Sequence, residues 1–432
     1  MSAISAMFAE ERFAEFGIHI PHILLPAPKR DGAVDLHSID LQSWAVVACD
    51  QYTQDEAYWE RAQNARSGKS STLDLILPEI YLERENRTET QTRIAKIEQN
   101  MHEYLDGTGV YGNVFADAFS GMVYVERKTA FGRTRRGVVT AIDLDCYDWR
   151  NPEQALIRAT EKTVPERLPP RMEVRRHAPL ESPHIMLLVN DLAFIEAAAT
   201  NRSEKLYSSE LMQNSGSITG WKISEAAYPK MLESLEALAC TECGGEGKHT
   251  MKENRVGKKP FLFAVGDGNH SLAAAKAVWD EYKHRNHLDV ASTHPKRYAL
   301  AEIVSLYDEG LTFEPIHRVL FGAKNATALP DFAGSYGSNI AGNCGNIAEI
   351  QDKIDAYLAA HPNVKIDYIH GADEVERMVR EKDALPIFMP AIEKSTLFEQ
   401  IKKAGALPRK SFSMGEACEK RFYIECRKIS GD

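Results

Sequence analysis

The chain has no long apolar run. Nothing in it approaches the roughly eighteen uninterrupted apolar residues that a membrane-spanning helix needs, and a candidate such as the stretch around Ile185-Met-Leu-Leu-Val189 is only strand-sized. It also lacks the start of a secretory signal, because Met1 to Arg12 has no basic segment and turns acidic at Glu10 and Glu11 where an apolar core should stand. Positive charge is in short supply: 52 Lys and Arg against 62 Asp and Glu leave a net −10, so no general basic surface exists to neutralise a phosphate backbone. Cysteine is sparse, with seven residues at 49, 146, 240, 243, 344, 418 and 426. An odd, scattered set suits free thiols in a reducing compartment better than a disulfide framework. These absences predict a cytoplasmic protein that has neither a membrane nor a nucleic acid as its partner.

What is present is ordinary globular material. Hydrophobic residues at 44% and charged residues at 26% exclude disordered and fibrous readings. At roughly 100 to 200 residues per domain, 432 residues allow two or three domains. Residues 54–65 read as a helix, and Ile94, Ile97, Met101 and Leu105 form one apolar helical stripe after a capping-type Thr88. The period then changes. Met122–Glu126 and Gly137–Leu144 flank a turn-like basic segment and predict a β-hairpin. The spacing further predicts strands at Trp44–Ala48, Ile185–Val189, Tyr298–Leu306, Val364–Ile369 and Arg421–Cys426, a loop over Pro165–Pro183, and helices at 224–238, with Ser224 as cap, and 346–360. No repeat and no regular βαβ period is visible, so the expected class is α+β with mixed sheets.

The most informative segment is Phe261-Leu-Phe-Ala-Val265, a buried-strand run, followed by the turn Gly266-Asp-Gly-Asn-His270 and a strong helix from Ser271 to Tyr282. A glycine turn lets backbone approach a ligand, and the first helical turn offers N–H groups and the positive end of a dipole to an anion such as phosphate. Asp267 is then the candidate for a magnesium ion or a substrate hydroxyl, and His270 for a phosphate oxygen. The alternative is that Asp267 and Asn269 only cap the helix and Gly268 only permits the turn.

Five segments together resemble the family called domain of unknown function 1015. Gly266-Asp-Gly-Asn-His270 resembles its Asp-Gly-His-His-Arg box, and Arg136–Trp149 its central strand. Ile157-Arg-Ala-Thr-Glu-Lys-Thr163 is similar to its Ile-Arg-Pro-His-Glu-x-Thr box, Pro315-Ile-His-Arg-Val319 to its Pro-x-His-Arg segment, and Glu393-Lys-Ser-Thr-Leu-Phe398 to its Lys-Ser-Thr-x-Phe segment. The Asp-Gly-x-His box is in turn similar to that of the ParB/sulfiredoxin-like superfamily, which includes partitioning CTPases, sulfiredoxins and free-serine kinases using ADP or ATP.

The resemblance implies a ParB/sulfiredoxin-like nucleotide-binding core with helical elaborations. Its implied segments are an N-terminal elaboration at 1–120, the core at 121–330 with an exposed connector at 240–259, and a C-terminal α/β segment at 331–432. It implies a small-molecule kinase that takes ADP or ATP with magnesium, or, alternatively, a nucleotide-binding regulatory module without transfer. In the kinase reading Glu161 is the base, and Asp267 with His270 handles the phosphate or hydroxyl. Gly266, Gly268, Asn269 and Ser271 line the nucleotide. Ser271 stands where most relatives have Arg, and Thr160 where many have His, so Arg158, Arg318 or Lys394 is expected to supply the missing cation, with His317 beside Arg318. A homo-oligomer is compatible with all of this.

Several weaker signals have plainer readings. Cys240-Thr-Glu-Cys243 with His249 falls short of four zinc ligands and reads as free thiols. Gly244–Thr250 resembles a phosphate loop in composition only. Asp143, Asp145 and Asp148 read as a solvated edge and turn, His184 and His317 as structural histidines, and Arg133, Arg135 and Arg136 as an exposed face. Cys49-Asp50-Gln51-Tyr52 is either a site wall or structural.

Overall fold

The hairpin read from residues 122–144 lies at the centre of a mixed sheet. In the computed structural model the described residues are 3–27, 40–66, 68–82, 84–243, 259–289, 292–323, 347–381 and 384–431. Most of the predicted connector, with Gly244–Thr250 and His249, and also Cys344, lies outside them. The chain divides into two compact units. The first takes Met1–Ala159, Thr163–Leu311 and Ala417–Asp432, and the second takes Thr160–Lys162 and Thr312–Glu416.

The first unit is built on nine strands: β1 (Ile18–His19), β2 (Val123–Lys128), β3 (Thr134–Asp143), β4 (Ile157–Ala159), β5 (Met186–Val189), β6 (Arg202–Glu210), β7 (Ser217–Ile223), β8 (Phe263–Asp267) and β9 (Tyr298–Ser305). Their order is β4-β8-β5-β9-β3-β2-β7-β6, with β1 also pairing with β3. β8 runs parallel to β4 and antiparallel to β5, and β9 parallel to β5 and antiparallel to β3, so the sheet is mixed as the sequence predicts. Alternation along β2 shows why both faces are covered. Tyr124 joins a core with Phe13, Ile142, Leu235 and Trp279, whereas Val123 and Val125 join another with Trp44, Ile97 and Phe422.

Seven helices of this unit are α1 (Ala3–Ala14), α2 (Glu56–Ala65), α3 (Arg87–Asp106), α4 (Leu168–His177), α5 (Ala193–Thr200), α6 (Tyr228–Glu242) and α7 (Asn269–Arg285). Asn86 rather than Thr88 caps α3, through a capping box in which its side chain accepts the Thr88 and Glu89 N–H groups while Glu89 reaches back to the Asn86 N–H. The expected loop at 165–183 instead holds α4. Its two prolines stand in the first turn, where a missing N–H costs nothing, and the helix packs along α7.

Two further strand readings are corrected. Residues 41–44 form a single helical turn, capped by Asp40, and Val47 makes only an isolated bridge to Phe422. At the C-terminus the strand is Arg427–Lys428, paired with Leu180–Glu181, while Cys426 bridges Leu24.

In the second unit β10 (Phe313–Phe321) is flanked by β11 (Lys365–His370) and β12 (Ala384–Ile387), with β13 (Phe412–Met414) pairing at its start. The helices are α8 (Ile347–Ala360), α9 (Ala372–Glu381) and α10 (Leu397–Ala404). Val319, Val375 and Ala384 form its small core.

The charged segments read as exposed are in fact paired. Asp143 is held by Arg297 at 2.6 Å, and Asp145 by Lys283 at 2.7 Å and the Trp279 indole at 3.0 Å. Arg135 is 3% exposed and donates to the Glu419 carbonyl, Arg133 pairs with Glu419, and Arg136 with Asp308. Behind them lies a buried ionic network in which Arg421 donates to Glu302 and to Glu425, each at 2.7 Å. The six described cysteines form no disulfide, and among the described residues no helix is long and apolar enough to cross a membrane.

Candidate functional site

β8 carries buried Phe263, Ala264 and Val265 to the edge of the first unit's core and stops there because the chain must turn. Gly268 makes the turn in the left-handed region, at φ 78°, and a Cβ there would stand 3.1 Å from the Ile185 Cα. Both facts require glycine. α7 starts at the next residue with no side-chain cap, so its N-terminal dipole points into the turn.

The turn is organised by its own side chains. Asp267 accepts the Gly268 N–H at 2.9 Å and faces the Lys420 ammonium at 3.5 Å. Asn269 donates to the Val265 carbonyl at 3.3 Å. His270 Nε2 accepts the Val164 N–H at 3.2 Å, which places the proton of the neutral ring on Nδ1. Ser271 Oγ lies 3.5 Å from His184 Nε2. Gly266, Asp267, Gly268, Asn269, His270 and Ser271 are therefore brought together, as their adjacency requires.

Arg158 belongs to the same unit on β4 but is committed elsewhere. Its guanidinium donates to the carbonyls of Ala155, Glu153 and Lys259 and lies over the Phe261 ring.

Glu161, His317, Arg318 and Lys394 belong to the second unit. Glu161 accepts the Ser411 N–H at one carboxylate oxygen and the Lys410 N–H at the other, both at 2.9 Å. Burial pushes its carboxyl above the ordinary value of 4.5, outweighing these backbone donors. Arg318 is fully buried and donates to Gln351 and to the Ile316 and Lys410 carbonyls. Burial pushes it down to about 10. His317 Nδ1 accepts the Met389 N–H at 3.0 Å, in keeping with a structural histidine. Lys394 opens a short 3-10 turn and is half-buried.

Of the groups behind Ser271, the sequence marks His184 as structural, leaves Cys49 open between a site wall and structure, and assigns no role to Tyr423. His184, 3% exposed, meets the Tyr423 hydroxyl at 2.6 Å through Nδ1, and Tyr423 in turn accepts the Cys49 N–H. The 239 residues between His184 and Tyr423 carry no spacing signal that would have joined them. Among the described residues no group of three or more His, Cys, Asp and Glu side chains is arranged to hold a metal ion by itself.

No curated protein and no solved structure matches the chain. One family does match: the family model described as "Protein of unknown function (DUF1015)" covers residues 32–370. With more than three quarters of its length inside that match, the chain belongs to the DUF1015 family.

Proposed function

We propose that this protein is a nucleotide-dependent phosphotransferase with a ParB/sulfiredoxin-like core, which holds the phosphates of ADP or ATP at residues 266–271 and serves a small hydroxylated acceptor rather than a nucleic acid. The observation that carries this reading is the uncapped N-terminus of α7 behind the left-handed Gly268, with Asp267 and His270 on its rim. The turn residues fit the expected groups. Magnesium takes one or two carboxylates and completes its shell with phosphate oxygens and water, so Asp267 suffices as its protein ligand, and the ion would neutralise phosphate charge.

The His270 Nδ1 proton suits donation to a phosphate oxygen. The resemblance names Glu161 as base, and its raised pKa makes it a stronger proton acceptor than an exposed glutamate.

A second reading, nucleotide binding without transfer, is favoured by Ser271 in place of Arg and by the commitment of Arg158 to three carbonyls. Thermal-shift titration with ADP, ATP, CTP and GTP plus magnesium, followed by transfer assays on serine and other hydroxylated metabolites, separates the two. Transfer that is lost in Glu161→Gln with nucleotide binding retained supports the kinase. Stabilisation without transfer supports the sensor, and no stabilisation by any nucleotide refutes both.

A further inference from the structure

Behind Ser271 the first unit contains a half-open cavity of about 140 Å³. Its walls are mostly apolar, with Leu75, Leu77, Met101 of α3, Val174 of α4 and Ile185 among them, and polar groups enter where His184, Ser271 and Tyr423 meet and where Arg171 and Arg175 pair with Glu79 and Glu181. We propose that this cavity binds a small neutral molecule with a ring-sized apolar body and a single hydroxyl head, a site that does not depend on the nucleotide reading.

Size and lining set the body. An apolar cavity of roughly 150 Å³ in a protein interior stays dry and accepts benzene, and this one is close to that volume.

The head follows from the wall at His184. Tyr423 fixes the His184 ring through Nδ1, but Nε2 reaches only the Ser271 Oγ at 3.5 Å, the outer limit of a hydrogen bond, and stands 4.0 Å from the Asp50 carboxylate. A buried imidazole nitrogen and a hydroxyl so loosely matched gain from a group that both donates and accepts between them. An anionic head is disfavoured. The guanidiniums lining the cavity already face carboxylates, Arg171 facing Glu79 and Arg175 a Glu181 that it shares with Arg427, so a ligand carboxylate would have to displace one of these partners.

The test uses the full chain with methyl-13C methionine and three probes of one body size: benzyl alcohol, toluene and benzoate. Filtered nuclear Overhauser spectra should connect the probe ring protons to the Met101 methyl, assigned through Met101→Leu. Benzyl alcohol should bind about 3- to 10-fold more tightly than toluene, and benzoate more weakly than either. In Ser271→Ala that preference should fall to near one while toluene binding is kept. Failure of all three probes to reach Met101 in the unsubstituted protein overturns the proposal. A preference that survives Ser271→Ala, or benzoate binding tightest, overturns the assigned head.

Discussion

Arg421 offers the sharpest test of how the first unit is held together. Its guanidinium is 4% exposed and serves two buried carboxylates, Glu302 at 1% and Glu425 at 2%. Burial pushes the Glu302 carboxyl up, but Arg135 and Arg421 outweigh it and hold it below its ordinary 4.5. In Arg421→Met both 2.7 Å bonds vanish. Glu425 keeps the Tyr207 hydroxyl, and Glu302 keeps Arg135 at 3.5 Å and the weaker field of Arg127. Two charge-assisted bonds at about 1.5–3 kcal/mol each set the loss at ~3–6 kcal/mol, consistent with the ~3–5 kcal/mol expected when one side of a buried ion pair is removed.

All five tryptophans, at 44, 59, 149, 221 and 279, lie in this unit, so urea unfolding followed by their fluorescence reports it alone. The sign with pH is fixed by linkage. A depressed carboxylate contributes stability above its unfolded pKa and loses it as pH falls through the folded one. In the variant Glu302, deprived of Arg421, is instead relieved by taking up a proton. The deficit should therefore shrink between pH 8 and pH 5, and a loss below about 1 kcal/mol, or one that is constant over that range, would refute the charge argument.

Gly268→Ala must place a Cβ in the left-handed region 3.1 Å from Ile185. It should cost about 1–3 kcal/mol in the same unfolding assay and, if the turn holds a nucleotide as proposed, remove any thermal shift that the nucleotide induces. Asn86→Ala breaks the capping box of α3 and should cost about 1 kcal/mol, read as a lower urea midpoint with an unchanged slope. If Glu161 is the base, the rate must rise with pH as its carboxyl ionises, and since that carboxyl is raised, the acid limb should turn above 4.5. A limb at or below 4.5 in the pH–rate profile would count against the assignment.

The hairpin, the 94–105 stripe and the strand–turn–helix at 261–282 were readable because each declares itself within one short window of residues. What escaped depends on partners far along the chain. Pro169 and Pro170 suggested a loop because the same residue that breaks a helix interior opens a first turn. Trp44–Ala48 reads as a strand by its apolarity, yet its burial comes from contacts such as the Trp44 indole donating to the Ile424 carbonyl, 380 residues away. Arg133 and Arg135 read as exposed because nothing local shows that Glu419 waits 286 and 284 residues on. The turn at 266–271 was visible from its glycines, whereas the wall formed by His184 and Tyr423 exists only once both ends of the first unit are assembled.

The segment Ala417–Asp432 has a consequence for how the protein is made. It supplies Arg421, Tyr423 and Ile424 to the interior of a unit whose sheet strands are otherwise complete by Ser305. During synthesis the earlier residues must therefore wait, with Glu302 lacking Arg421 and the Trp44 indole unmet, while the intervening second unit is translated. The first unit can therefore complete its fold only after the second unit has been translated, rather than by docking in strict order from the N-terminus.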